Sequence, residues 1–256
     1  MSASVANEID AGDITRDTLL GGRVKLAQPK SGFRAAIDPV LLAAAVPARA
    51  GERALEAGSG TGAAALCLAL RVPGVDVTGI EIDPALTALA NANAAENGLA
   101  DRVRFVAGDM FAPPPEITGT LFDHVFANPP YLVLGSGSPS PDPGRRRATT
   151  EGAGGLIAWL DACLGFLAPG GTITLIHRAD RLDAVLAGLA NKAGGIVVLP
   201  LLPGEGKPAK RAIVAARKGS SGPLATRPGL VLHRPGGGYT PEAEAILREG
   251  RALPMS

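Results

Sequence analysis

The chain has 256 residues, enough for one large α/β unit with a well-buried core and too few for two full ones. With 25 Lys and Arg against 24 Asp and Glu the formal charge is +1, so an anionic or a neutral partner is compatible and a nucleic acid would need local basic patches. Two cysteines, Cys67 and Cys163, stand in apolar helix-like contexts without metal-ligand spacing, which excludes a disulfide framework and predicts no metal site.

The start, MSASVANEIDAGD, is polar and mildly acidic and lacks the basic and apolar regions of a signal peptide. No later apolar run approaches membrane-spanning length, so a soluble, cytoplasmic protein with no membrane partner is expected. The run IDPVLLAAAVPA predicts a helix before the first core strand. From residue 53 onward β-rich runs alternate with Ala/Leu-rich stretches, with strands expected at 53–57, 75–82, 102–107, 121–127 and 171–177. Helices are expected at about 62–72, 84–97, 153–167 and 180–192, the second opened by Asp83 as N-cap and Pro84 in the first turn. The runs GIVVLPLL (195–202) and AKRAIVAARK (209–218) leave no room for a helix between them and predict an antiparallel pair closing the sheet. The result is an α/β fold with a seven-stranded, mostly parallel sheet. We expect a single domain over 1–256, with a lead-in at 1–52, a core at 53–218 and a C-terminal extension at 219–256.

Two acids and a glycine loop carry chemistry at the predicted strand ends. ALEAGSGTG places Gly58, Gly60 and Gly62 at the turn from strand to helix, where missing side chains let backbone N–H groups approach a ligand. The spacing departs from the dinucleotide fingerprint, whose third glycine would stand at Ala63. Glu81 ends the next strand, where a carboxylate can accept from both hydroxyls of a ribose. Asp109 ends the third and can accept from an adenine amino group, although taken alone it reads equally well as a turn former. Behind the fourth strand stand Asn128, Pro129, Pro130 and Tyr131, where two prolines stop strand pairing and stiffen the turn. A structureless stretch with Arg145, Arg146 and Arg147 follows, and Lys207, Lys210 and Arg211 flank the last strand pair. Both are candidate phosphate contacts, and either cluster alone reads equally well as a solvated surface. His124 and His177 read as satisfied structural histidines.

LEAGSGTG, GIEID, GDMF and NPPY, in this order, resemble the motifs of class I S-adenosylmethionine-dependent methyltransferases that methylate amino groups. Through GFRAAIDPVLLAAA and LHRPGGGYTPEAEAIL the chain is most similar to the bacterial tRNA(Val) adenine-N6 methyltransferase family, over roughly residues 18 to 250. The resemblance implies a Rossmann-like class I fold and S-adenosylmethionine as cofactor. Glu56 and the glycine loop would face its methionine part, Glu81 its ribose and Asp109 its adenine, with Phe33, Arg34 and Asp38 close by. Asn128 and Pro129 would hold the target amine, Pro130 would keep the carbonyl aimed, and Tyr131 would stack on the base. The implied partner is RNA, with tRNA first. The same motif also serves glutamine N5 methylation of release factors, and guanine-N2 methylation of ribosomal RNA stays open. From other classes, a non-catalytic nucleoside-binding module and a nicotinamide-dependent oxidoreductase are the competing readings.

Overall fold

A computed structural model describes residues 9, 11–31, 34–129 and 155–255. Phe33, Pro130, Tyr131, Arg145, Arg146 and Arg147 lie outside the described residues. The chain enters through strands β1 (Ile14–Leu19) and β2 (Val24–Pro29), an antiparallel hairpin, and then helix α1 (Asp38–Ala45). The core follows as β3 (Arg53–Ala57), α2 (Ala63–Arg71), β4 (Asp76–Glu81), α3 (Pro84–Glu96), β5 (Val103–Ala107) and β6 (Phe122–Ala127). Next come α4 (Gly155–Gly165), β7 (Leu167–Arg178), α5 (Leu182–Leu189), β8 (Ala193–Gly204) and β9 (Arg211–Lys218). The end contributes β10 (Ala225–Thr226), β11 (Leu230–His233) and α6 (Pro241–Leu247).

The expected strands and helices are present. Asp83 Oδ1 accepts from the amides of Ala85 (2.9 Å) and Leu86 (3.4 Å), so it caps α3 as its position predicts. The central order is β5-β4-β3-β6-β7-β9-β8, parallel from β5 to β7, with β9 antiparallel to both of its neighbours. These are the seven strands expected. Two short additions, β10 and β11, pair in parallel with the outer edge of β8 and bring the sheet to nine.

Alternation along the strands builds two apolar layers. Phe126, Ile176 and Ile213 join Leu41, Leu42, Leu66 and Leu68 of α1 and α2 on one face. Val125, Leu175 and Val214 join Leu160, Cys163, Val185 and Leu189 of α4 and α5 on the other. Cys67 and Cys163 are both free and buried, and burial pushes both thiols up, away from reactivity.

The hairpin is tied down by two asparagines one helical turn apart, Asn93 on α3 and Asn97 capping its C-terminus. The Ala27 amide donates to Asn93 Oδ1 (2.8 Å) and Asn93 Nδ2 donates to the Ala27 carbonyl (3.0 Å). Asn97 does the same for Lys25, at 2.8 and 2.7 Å. Side-chain amides thus satisfy the outer edge of β2 as a neighbouring strand would. At the other end of the chain, the Leu253 amide donates to the Ala44 carbonyl (2.8 Å), fastening the C-terminal segment to α1.

Candidate active site

The topology places the site. From β3 the chain moves to β4 and β5 on one side, and β6 and β7 lie on the other, so the crevice at the C-terminal ends of β3 and β6 is the switch point where open α/β sheets bind ligands. Ala57 pairs in register with Ala127. The next residues, Gly58 and Asn128, therefore leave the sheet abreast, about one strand spacing of ~4.8 Å apart. Asn128 is half-buried and Pro129 is buried.

The glycine loop is held from three sides. The amides of Gly58 and Ser59 donate to the Ile80 carbonyl at 2.9 and 3.1 Å. Gly60 N donates to Glu81 Oε2 (2.8 Å), and Asn93 Nδ2, already bonded to the hairpin, also donates to the Thr61 carbonyl (3.0 Å). Gly62 turns into α2 with φ of 83°, and a Cβ there would lie 2.4 Å from Phe105 Cζ, so both conformation and space require glycine. Above Gly58 and Gly60 an added Cβ meets nothing within 4 Å. Between these two glycines in the chain, Ser59 Oγ is a buried hydroxyl without a hydrogen-bond partner among the described residues.

The acids line one side. Glu56 is only 6% exposed, and its Oε2 accepts from the Ala65 amide in the first turn of α2 (2.9 Å). Burial, with the Glu81 charge adding to it, pushes its carboxyl up to about 8. Burial also raises Glu81, against the amides of Asp83 and Gly60 that favour its charged form. Asp109 is exposed, and its Oδ1 accepts from the Phe111 amide (2.9 Å), so it does serve as a turn former.

Two apolar residues passed over in the sequence flank these acids. Ile82 and Phe111, 58% and 52% exposed, each follow an acid at a strand end. Exposed apolar side chains of this size mark binding surfaces, and their position just beyond Glu81 and Asp109 is the signal that could have found them. Asn93 was also passed over, because an asparagine inside an Ala-rich helix has no local signature of its long-range partners.

Other expected site residues are engaged elsewhere. Arg34 donates to Asp17 Oδ2 (2.7 Å) and Thr15 Oγ1 (2.6 Å), binding the lead-in to the hairpin. Asp38 accepts from Arg211 Nε (3.2 Å) across the end of β9. Lys210 is exposed in the turn before β9. His124 is satisfied as expected, by Glu52 Oε2 (2.8 Å) and Thr172 Oγ1 (2.7 Å), at the opposite edge of the sheet. His177 requires a correction. It is buried, but neither ring nitrogen has a hydrogen-bond partner among the described residues. Burial, then the charges of Arg181, Arg211 and Arg178, push it down to about 4, so it is held neutral. No group of His, Cys, Asp and Glu able to hold a metal ion occurs among the described residues. No helix there is long and apolar enough to cross a membrane.

Comparison with known proteins agrees with this geometry. A profile described as a methyltransferase domain matches residues 54–135, the stretch that holds the glycine loop, all three acids and Asn128. A tRNA1(Val) (adenine(37)-N6)-methyltransferase of Porphyromonas gingivalis is 34% identical over 62% of this chain and 64% of its own. A release factor glutamine methyltransferase of Moorella thermoacetica is 37% identical over 51% of this chain and 47% of its own. The chain thus matches about half to two thirds of the length of these curated relatives. Among solved structures, one described as a predicted O-methyltransferase from Agrobacterium tumefaciens superposes with a TM-score of 0.70. It is 25% identical, over 85% of this chain and 98% of its own. The matched stretch therefore lies in a Rossmann-like fold similar to that of a methyltransferase structure, and its first strand, glycine loop and fourth strand meet at one crevice.

Proposed function

We propose that the protein is an S-adenosylmethionine-dependent N-methyltransferase acting on an exocyclic amine, with adenine N6 of a tRNA as its substrate. The observation that carries the reading is the side-by-side exit of Gly58 and Asn128 from β3 and β6, which joins the cofactor floor to an amide acceptor. The open space above Gly58 and Gly60, the orphaned Ser59 hydroxyl and the exposed Ile82 and Phe111 fit a nucleoside cofactor. In this reading Glu81 accepts from the ribose, Asp109 from the adenine, and Glu56 faces the ammonium end. Arg34 and Asp38 build the wall of the entrance through the hairpin and α1, and Phe33 belongs to the same stretch. The cofactor supplies an electrophilic methyl group.

The chain's own part is to prepare the amine. An exocyclic amino group is a poor nucleophile because its lone pair is delocalised into the ring. Asn128 Oδ1 and the Pro129 carbonyl each accept one N–H, which localises that pair and aims it. Methylation leaves a positive nitrogen, the same two acceptors stabilise it, and the surplus proton passes to water. Pro130 stiffens the turn and Tyr131 supplies a ring for a base swung out of its stack. Arg145, Arg146 and Arg147, with Lys210 and Arg211, are assigned to phosphates. The similarity to a release factor glutamine methyltransferase keeps a second reading, since a planar side-chain amide offers the same two N–H donors.

Asn128→Ala is the test. Methyl transfer to RNA should fall by ~10²–10³ in kcat, the usual loss for one preorganised transition-state contact. Cofactor affinity by calorimetry and the melting temperature should stay close to wild type. Near-normal turnover would overturn the reading.

A further inference from the structure

We infer that the substrate RNA runs in one direction from Asn128, across the ends of β7, β9 and β8 to β11, and is held there as a single strand by its phosphates. The inference rests on the RNA reading above and goes beyond it by assigning a path. The opposite direction is closed on charge grounds. Residues 54–70, 72–101 and 105–121 contain no lysine or arginine, so the segments that leave β3, β4 and β5 at this edge offer no cation. Glu56, Glu81, Asp83 and Asp109 stand there instead.

The other half of the same edge differs. β9 is antiparallel, so its start lies beside the end of β7, with Arg178 opposite Arg211. Leu201 of β8 pairs with Arg211, and β11 ends with His233 opposite Gly204. These registers bring Arg178, Arg181, Arg211, Lys210, Lys207 and Arg234 to one edge, over about four strand spacings of ~4.8 Å from β6. Lys207, Lys210 and Arg234 are exposed. Arg178 is paired with Asp180 and Arg211 with Asp38, and Asp183, Glu205 and Glu242 are exposed nearby. The buried His177 reports which sign prevails at the proximal end. After burial itself, the charges acting most on its imidazole are those of Arg181, Arg211 and Arg178, and they outweigh Asp180. At the distal end the His233 and Tyr239 rings stack with centroids 5.0 Å apart, both half-buried. Cations followed by an aromatic platform suit a single strand, whose bases can stack on side chains, better than a duplex.

The experiment uses the whole protein loaded with S-adenosylhomocysteine and a fluorescein-labelled single-stranded RNA, with the dissociation constant measured by anisotropy against salt. Wild type should bind with a steep salt dependence and prefer the single strand to an RNA duplex. The triple substitution Lys207→Ala, Lys210→Ala and Arg234→Ala should weaken binding at least tenfold at low salt. It should also reduce the log–log salt slope by roughly 0.7 per lost phosphate contact, about 2 in all. Cofactor affinity should be unaltered. The paired substitution Arg102→Ala and Arg104→Ala, at the opposite edge, should change neither quantity. An unchanged slope and affinity in the triple variant, with wild type binding normally, overturns the path while leaving the methylation reading intact. Absence of RNA binding by wild type overturns both.

Discussion

The C-terminal edge of the sheet is split in two, and Asn128 stands at the seam. On the β3–β4–β5 side, Glu56, Glu81 and Asp109 follow one another at successive strand ends, and the turns that leave those strand ends contain no cation. On the β7–β9–β8–β11 side, arginines and lysines gather and a histidine is kept neutral beneath them. The same backbone architecture thus presents a negative half and a positive half. In the proposed reading a cationic methyl donor lies on the carboxyl-lined half and an anionic nucleic acid on the cation-lined half.

The comparison breaks most severely at Gly62, which shapes the negative half without touching a ligand. Gly62→Ala forces a Cβ to 2.4 Å from Phe105 at a φ of 83°. Left-handed strain and overpacking together should cost roughly 2–4 kcal/mol of stability, read by chemical denaturation, and cofactor binding should weaken with it. Gly58→Ala shares the positive φ but has open space, so its stability loss should be smaller.

Glu81 sharpens the comparison. Glu81→Ala removes the proposed ribose acceptor and should weaken cofactor binding by about 1–3 kcal/mol in calorimetry while RNA affinity is preserved. Because Glu81 also accepts from Gly60 and Asp83, Glu81→Gln must be run beside it. The amide keeps one acceptor oxygen and should recover the fold more fully than the affinity. Asp109→Ala, at an exposed site, should cost under about 1 kcal/mol.

Glu56 adds a proton linkage, read through pH. Its carboxyl ionises near pH 4.5 when the chain is unfolded and only at about 8 in the fold. The native state therefore binds more protons between those values, so stability from this group is greatest below the unfolded value and declines as pH rises to about 8. Glu56→Gln should lack that part of the decline in melting temperature. Cofactor binding near pH 7 should release a fraction of a proton as the ammonium end draws Glu56 into its charged form. Calorimetry in buffers of different ionisation enthalpy would detect it, and a release unchanged in Glu56→Gln would remove Glu56 from that role.

The negative half was more legible in the sequence than the positive half, for a physical reason. The glycine loop, Glu81 and Asp109 each follow a strand directly, so reading the strands places the acids at one end of the sheet. The cations lie beyond strands of mixed direction, and only the register of β9 against β7 and β8 shows that Arg178 and Arg211 share an edge. The entry hairpin went unforeseen although its turn carried a signal. Leu20, Gly21 and Gly22 all have positive φ, and Gly-Gly between alternating residues marks a hairpin. Its polar outward residues hid that signal, since β2 is stabilised by Asn93 and Asn97 of a helix far along the chain. His177 reads in the sequence as a satisfied core histidine because the strand pattern says nothing about which side chains converge above it.

The most direct test of the central claim is nucleoside mass spectrometry of RNA treated with the purified protein and isotope-labelled S-adenosylmethionine, with unmethylated tRNA and a release factor in parallel reactions. The account predicts labelled N6-methyladenosine in the tRNA digest, lost in Asn128→Ala. Label on a release-factor glutamine, or on neither substrate, would contradict it.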